Sequence, residues 1–324
     1  FGCKLMKLVL YIFSIIILAI SPFLGEITLN LNELFDSSTI TYKVFWELRV
    51  SRVLLAFFVG GILALSGLIF QIIFKNALIT PYTLGIASGT TLFTAISIVF
   101  FPAMILSISS AIGSLVTITI LYYISKNVNK NTIAVSTNSI LLIGIALSYF
   151  YSSALMLVFY MSNLEQNYSI VRFTLGSLDT VGFTSSFVIF VMAAIMYFTI
   201  YSNRAKIKLL LISNDTAFLK GLNVHKLNLL LLIVISICVG VSISFVGPIG
   251  FIGLVVPHII KLIYKKSADQ LIFPVFFYGG VFLVMSDLIA RNLNTASSLP
   301  IGVVTAFIGA PFFVYLLIKR NKKD

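Results

Sequence analysis

The sequence predicts an all-α membrane protein with about ten transmembrane helices, and three observations point to that class. Hydrophobic residues occupy 59% of the 324 positions and charged residues only 10%, whereas a water-facing domain carries about 25% charged residues. The outer surface must therefore face something apolar, as the mean hydropathy of +1.09 also indicates. The apolar residues come in continuous runs of about 20, the length of helix that crosses a hydrocarbon core of ~30 Å. They do not alternate with polar residues as in a β-barrel. Finally, the 22 lysines and arginines fall unevenly between alternate connections, which orients helical membrane proteins.

Taken in order, residues 1–5 precede a Met6-Lys7-Leu8 start and read as an upstream remnant. Residues 8–24 are long for a signal-peptide core and lack an Ala-x-Ala cleavage pattern, so they read as a retained first span. Residues 25–48 form a polar connector. Span 50–74 carries Gly60, Gly61, Ala64, Ser66 and Gly67 at helical spacing, a face on which backbones can approach closely. Close packing is a simpler reading of it than a substrate site. Asn76 to Pro81, followed by Gly85, Ser88 and Gly89, reads as a break and re-entry before span 82–101. Spans 104–125, 139–161, 183–201 and 227–246 follow, with the longest inner hydrophilic interruption at 202–226. Span 250–264 is short, and Pro257 predicts a kink in it. Spans 271–290 and 300–318 complete a single transmembrane domain over 1–324.

With the N-terminus placed inside, 17 of the 22 basic residues fall on the inner side. Lys43, Arg49, Arg52, Arg172 and Arg291 fall on the other. A miscount by one span would scramble that asymmetry, so ten spans with both ends inside are expected. The net charge of +12 is then a matter of orientation, and nucleic acid is not expected as a partner. Cys3 and Cys238 lie far apart and suggest neither a disulfide nor a metal site. Ionisable groups at membrane depth are few: His258, which reads as a packing residue, and Asp287 and Arg291, whose i,i+4 spacing lets them pair.

Missing features narrow the function. No series of buried acids or lysines is available to relay protons or bind sodium, which counts against a cation-coupled secondary transporter, the main alternative. No Gly-x-x-x-x-Gly-Lys-Ser/Thr loop and no His-Glu-x-x-His occur, so the chain is expected to hold no nucleotide, cofactor or metal and to be no enzyme. Asn214 to Leu222 reads as a short helix with Asn214 or Ser213 as cap, Asp215 in the first turn and Gly221 at its end. Composition leaves it open as an interfacial connector or as a docking element.

The residues resemble the FecCD-type permease subunits of ABC importers for iron-siderophores, haem and vitamin B12. Leu48-Arg49-Val50-Ser51-Arg52 is similar to the Arg-x-Pro-Arg entry of the second span, with Ser51 in place of proline. Gly60-Gly61, Leu63 to Gly67 and Gln71 follow, then Asn76 to Pro81, where Ala77 replaces a proline. Leu175-Gly176-Ser177-Leu178 matches with Phe173 in place of a tryptophan. The longest matches are Gly247 to His258, Ser286 to Arg291, Leu299 to Ala306 and Gly309 to Phe313.

The resemblance implies a vitamin B12-permease-like fold in the bacterial inner membrane. It implies pairing with a second permease subunit, identical or paralogous, and with two cytoplasmic ATPases that bind ATP and magnesium. An extracytoplasmic binding protein would deliver the chelate, most simply a ferric siderophore, docking its acidic side chains on Arg49, Arg52 and Arg291. Those arginines would otherwise snorkel or pair with Glu47 and Asp287. Asn214, Asp215, Thr216, Ala217, Phe218, Leu219, Lys220, Gly221 and Leu222 would couple to the ATPases. Asn76, Leu78, Thr137 and Asn138 would form the cytoplasmic gate.

Overall fold

A computed structural model of the chain describes residues 2–25, 30–36, 38–102, 104–128, 137–212, 217, 219–293 and 299–321. Among the described residues the regular structure is entirely helical. Numbered in order, the helices are α1 (Gly2–Ile20), α2 (Ile40–Ile73, with a π-helical stretch at Val44–Val50), α3 (Ile86–Phe100) and α4 (Leu106–Val128). Then come α5 (Thr137–Met161), α6 (Leu164–Leu175), α7 (Phe183–Ser202) and α8 (Arg204–Ile212). The last four are α9 (Val224–Val246), α10 (Ile252–Tyr264), α11 (Ile272–Asn292) and α12 (Ile301–Asn321).

Ten of these coincide with the ten predicted apolar segments. Seven are long and apolar enough to cross a membrane, and α3, α10 and α12 are shorter apolar helices.

Three boundaries differ from expectation. Helix α3 begins at Ile86, not at residue 82, because Thr80 and Thr83 hydrogen-bond each other's backbone and Gly85 enters the helix at φ 76°. Residues 162–182, between the predicted spans 139–161 and 183–201, contain α6. Asn163 and Gln166 there form a reciprocal capping box that satisfies the first orphan N–H groups. Residues 202–226 begin with α8, which buries Ile207 and Leu210 and leaves Arg204, Lys206 and Lys208 exposed.

Helix α2 is the axis of the packing. Its residues from Val59 to Gln71 are all buried, and α11, α10, α7 and α9 pack around it. The small-residue face does what its spacing predicts. A Cβ on Gly67 would lie 1.8 Å from the Gly253 carbonyl oxygen, so α2 and α10 touch backbone to backbone there.

That crossing also resolves the proline in α10. Pro257 has no N–H to give the carbonyl four residues earlier, which leaves the Gly253 oxygen without its helical donor. The Gln71 side chain of α2 supplies one at 3.2 Å. The Gln71 carbonyl oxygen in turn accepts from Lys261 at 2.9 Å.

Candidate functional site

The fold gathers four of the five minority basic residues at one end of the bundle. Helix α1 runs into a 3-10 turn at Ser21–Phe23, whose carbonyls, like those at any helix end, lack intrahelical donors. Arginines fill the gap. Arg49, in the π-helical stretch of α2, donates to the Phe23 carbonyl at 3.2 Å and to that of Pro22 at 3.4 Å. Arg291, in the last turn of α11, donates to the Ser21 carbonyl at 2.7 Å and to its hydroxyl at 2.9 Å.

Asp287 is fully buried one turn before Arg291, and its other oxygen faces the Arg291 Nε at 3.6 Å. Arg52 reaches Asp287 from α2 through Nε at 2.9 Å and Nη2 at 2.8 Å. Through Nη1 it also holds Asp179 at 2.7 Å. Asp179 lies between α6 and α7 and takes a third cation, Arg172 of α6, at 3.2 Å. Partial burial pushes the Asp179 carboxyl up. The Ser177 hydroxyl at 2.6 Å, Arg52 and Arg172 outweigh that, and its pKa settles below the ordinary 3.8.

The three arginines expected to dock a partner are thus brought together, with unequal access. Arg49 and Arg291 are buried at 7% exposure, while the Arg52 side chain is 18% exposed and Arg172 beside it 58%. Asp287 does pair with Arg291, and more tightly with Arg52. Asp179 was not anticipated from sequence, and Arg172 was placed on this side by charge but not among the docking arginines. The pairing of Asp179 with Arg52 spans 127 positions, which no local pattern encodes.

The opposite end holds the other expected sites. Lys7 of α1 lies 5.0 Å over the Tyr264 ring and donates to the Tyr264 carbonyl at the end of α10. The Asn76 side chain accepts from the Leu78 N–H at 2.9 Å, closing a tight turn after α2, and Leu78 is exposed. Thr137 and Asn138 open α5; their side chains lie outside those described. Of the expected coupling segment, Asn214, Asp215, Thr216 and Phe218 lie outside the described residues. Ala217 is buried, Leu219 is 82% exposed, Lys220 is exposed and Gly221 turns at φ 77°. The Leu222 N–H bonds the Ala217 carbonyl at 3.0 Å. Asn223 then caps α9, and His225 hydrogen-bonds the Tyr122 hydroxyl of α4.

Between the two ends a cleft of about 440 Å³ opens on the side of α6 and α12. Thr174 and Leu175 of α6, Pro248, Phe251 and the α12 residues Val303 and Phe307 supply much of its wall. Phe251 adopts φ 67°, a left-handed conformation costly for an aromatic residue, and its Cβ lies close against Gly309 of α12. Among the described residues no cluster of three His, Cys, Asp or Glu side chains could hold a metal. Cys238 is a free, buried thiol.

A bundle of apolar helices with charge confined to its ends, and a cleft walled by apolar side chains, belongs to the class of membrane transport subunits. The sequence matches the FecCD transport family over residues 12–319, and the chain belongs to that family. It is 30% identical over 317 residues to the vitamin B12 import system permease protein BtuC of Vibrio vulnificus, covering 95% of this chain and 94% of that protein. It is 31% identical over 275 residues to a probable iron chelatin transport system permease protein of Helicobacter pylori, covering 85% and 82%. An inward-facing structure of a metal-chelate type ABC transporter superposes with a TM-score of 0.85 at 26% identity, over 98% of this chain and 99% of that one. The chain is therefore a multi-pass permease subunit of an ABC importer in the bacterial inner membrane, and not an enzyme.

Proposed function

We propose that this chain is half of a passive conduit for a ferric siderophore, completed by a second permease subunit and driven by two cytoplasmic ATPases. In this reading its ten apolar helices are ten crossings with both ends inside. The arginine end is the outer mouth, and the segment around 213–226 is the socket for the ATPases. The observation that carries the cargo assignment is the cleft. Its wall is built from side chains such as Leu175, Phe251, Val303 and Phe307, with Thr174 and Tyr82 as the hydroxyl-bearing members. A bulky chelate needs a wide, weakly attractive path, because tight polar ligands would trap it. The relatives include an iron chelatin permease alongside vitamin B12 and hemin permeases, and so support a metal chelate as the cargo class.

Docking of an extracytoplasmic binding protein falls on Arg52, which is partly exposed, with Arg49 and Arg291 holding the backbone behind it. The cytoplasmic gate is assigned to the Asn76–Leu78 turn together with Thr137 and Asn138. The test is transport by the assembled importer across a panel of ferric siderophores, haem and cobalamin. Saturable uptake of a ferric siderophore in preference to the other two is expected. Uptake of cobalamin or haem alone would overturn the cargo assignment and leave the rest standing.

A further inference from the structure

The two ends of α1 are attached to the bundle differently. At the arginine end its terminal turn is held by Arg49 and Arg291, which donate to the carbonyls of residues 21–23. Along the helix itself only Ser14 is buried among the described side chains, and Leu8, Val9, Ile12 and Phe13 are exposed. At the other end the attachment is Lys7, whose ammonium lies 5.0 Å over the Tyr264 ring and donates to the Tyr264 carbonyl at 3.4 Å. One turn further on, the Tyr11 and Phe277 rings lie 4.9 Å apart.

Lys7 is one of three cations gathered there. Helix α10 ends at Tyr264, Lys265 turns the chain at φ 48°, and Lys265 and Lys266 are both exposed. Among the described residues none of the three pairs with a carboxylate. Asp269, the nearest acid in sequence to Lys265 and Lys266, keeps one carboxylate oxygen buried and forms no ion pair with them. The Tyr264 carbonyl, at the negative end of α10, answers Lys7 alone. The surroundings are those of a membrane–water boundary. The Tyr264 and Tyr278 hydroxyls share a hydrogen bond at 3.3 Å, and tyrosines with such polar tips are typical of the headgroup level. Leu262, two residues before Tyr264, and Phe273, stacked on Phe277, expose apolar surface.

We propose that this end of α1, α10 and α11 is a binding site for an anionic phospholipid. The lipid phosphate bridges Lys7, Lys265 and Lys266, its acyl chains lie on exposed side chains such as Leu262 and Phe273, and the bound lipid staples α1 to the bundle. Charge complementarity selects this occupant. Three ammonium groups without a carboxylate, at the edge of an apolar span, suit an anion that carries an apolar body of its own. A soluble phosphate would meet the charge and leave the apolar surface bare. A neutral phospholipid would cover that surface but bring its own cation against the lysines. The inference is independent of the cargo and of docking at the arginine end.

The test is lipid binding to the full chain in non-ionic detergent, titrated with phosphatidylglycerol or with phosphatidylcholine of the same acyl chains, the bound lipid being counted by native mass spectrometry. Phosphatidylglycerol should bind roughly 10–100-fold more tightly, each lysine accounting for about 5-fold. Combining Lys7→Gln, Lys265→Gln and Lys266→Gln should abolish the preference. Combining Lys7→Arg, Lys265→Arg and Lys266→Arg should keep it, which separates loss of charge from misfolding. Lys206→Gln with Lys208→Gln, on exposed positions of α8, should leave it intact. Equal affinity for the two lipids, or an undiminished preference in the triple glutamine variant, would overturn the site. A loss of the same size in the α8 variant would overturn it in favour of diffuse surface charge. Displacement of the lipid by inorganic phosphate at equal concentration would overturn it in favour of a plain phosphate site.

Discussion

At the scale of single residues, the membrane makes every buried polar group an accounting problem, and at the arginine end long-range partners meet much of it. Asp287 is the sharpest case, a fully buried carboxylate between two arginines from different parts of the sequence. Breaking such a group by removing one partner is far costlier than never having had it, because the remaining charges stay buried and uncompensated. Asp287→Ala is expected to destabilise the fold by about 3–5 kcal/mol, the usual cost of orphaning a buried pair. Exposed Glu165→Ala should cost under about 0.5 kcal/mol. Equilibrium unfolding in mixed micelles would compare them, and equal midpoints for the two variants would show that the cluster does not hold the end together.

Residue identity also explains what was legible. The scarcity of Lys and Arg on one side marked Lys43, Arg49, Arg52, Arg172 and Arg291, and the family resemblance singled out Arg49, Arg52 and Arg291 among them. Neither could foresee that Arg49 and Arg291 turn inward onto the carbonyls of residues 21–23. Those acceptors exist because a 3-10 turn happens to end α1, a tertiary circumstance with no local sequence signal beyond Pro22.

At the scale of elements, hydrophobic run length located all ten apolar helices because a continuous apolar segment leaves the backbone few alternatives in lipid. Amphipathic helices were harder. Helix α6 was missed because its twelve residues mix Glu165, Gln166, Asn167 and Arg172 with apolar ones, though the Asn163-x-x-Gln166 capping box was present to be read. The exposed Leu164 and Tyr168 on it are surfaces that a second subunit or lipid would cover.

The α2–α10 crossing shows sequence and packing in agreement. Gly67 allows backbone contact, Pro257 frees a carbonyl at that point, and Gln71 answers it. Even a methyl group at Gly67 would drive the helices apart, so Gly67→Ala is expected to cost about 1–3 kcal/mol. Gly250→Ala, with nothing within 4 Å of the added carbon, should leave stability unchanged. Thermal unfolding of both variants in detergent would decide; a silent Gly67→Ala would mean that the crossing is looser than described.

At the scale of the whole molecule, the two ends differ in kind. One end concentrates arginine–carboxylate pairs beside a cleft, while the other carries lysines, the Asn76 turn and the loop before α9. Among the described residues, the buried polar side chains between them are mostly serines and threonines. In the proposed function such a chain gates by tilting helices under forces applied by its partners.

The central claim, that this chain is a conduit powered by separate ATPases, is tested most directly in proteoliposomes. The assembled importer would be supplied with its binding protein and a ferric siderophore, with ATP inside or absent and with or without a proton ionophore. The account predicts uptake that requires ATP, continues when the proton gradient is collapsed, and is lost when the ATPase subunits are omitted. Uptake by this chain alone that persists without ATP and stops on addition of the ionophore would contradict it.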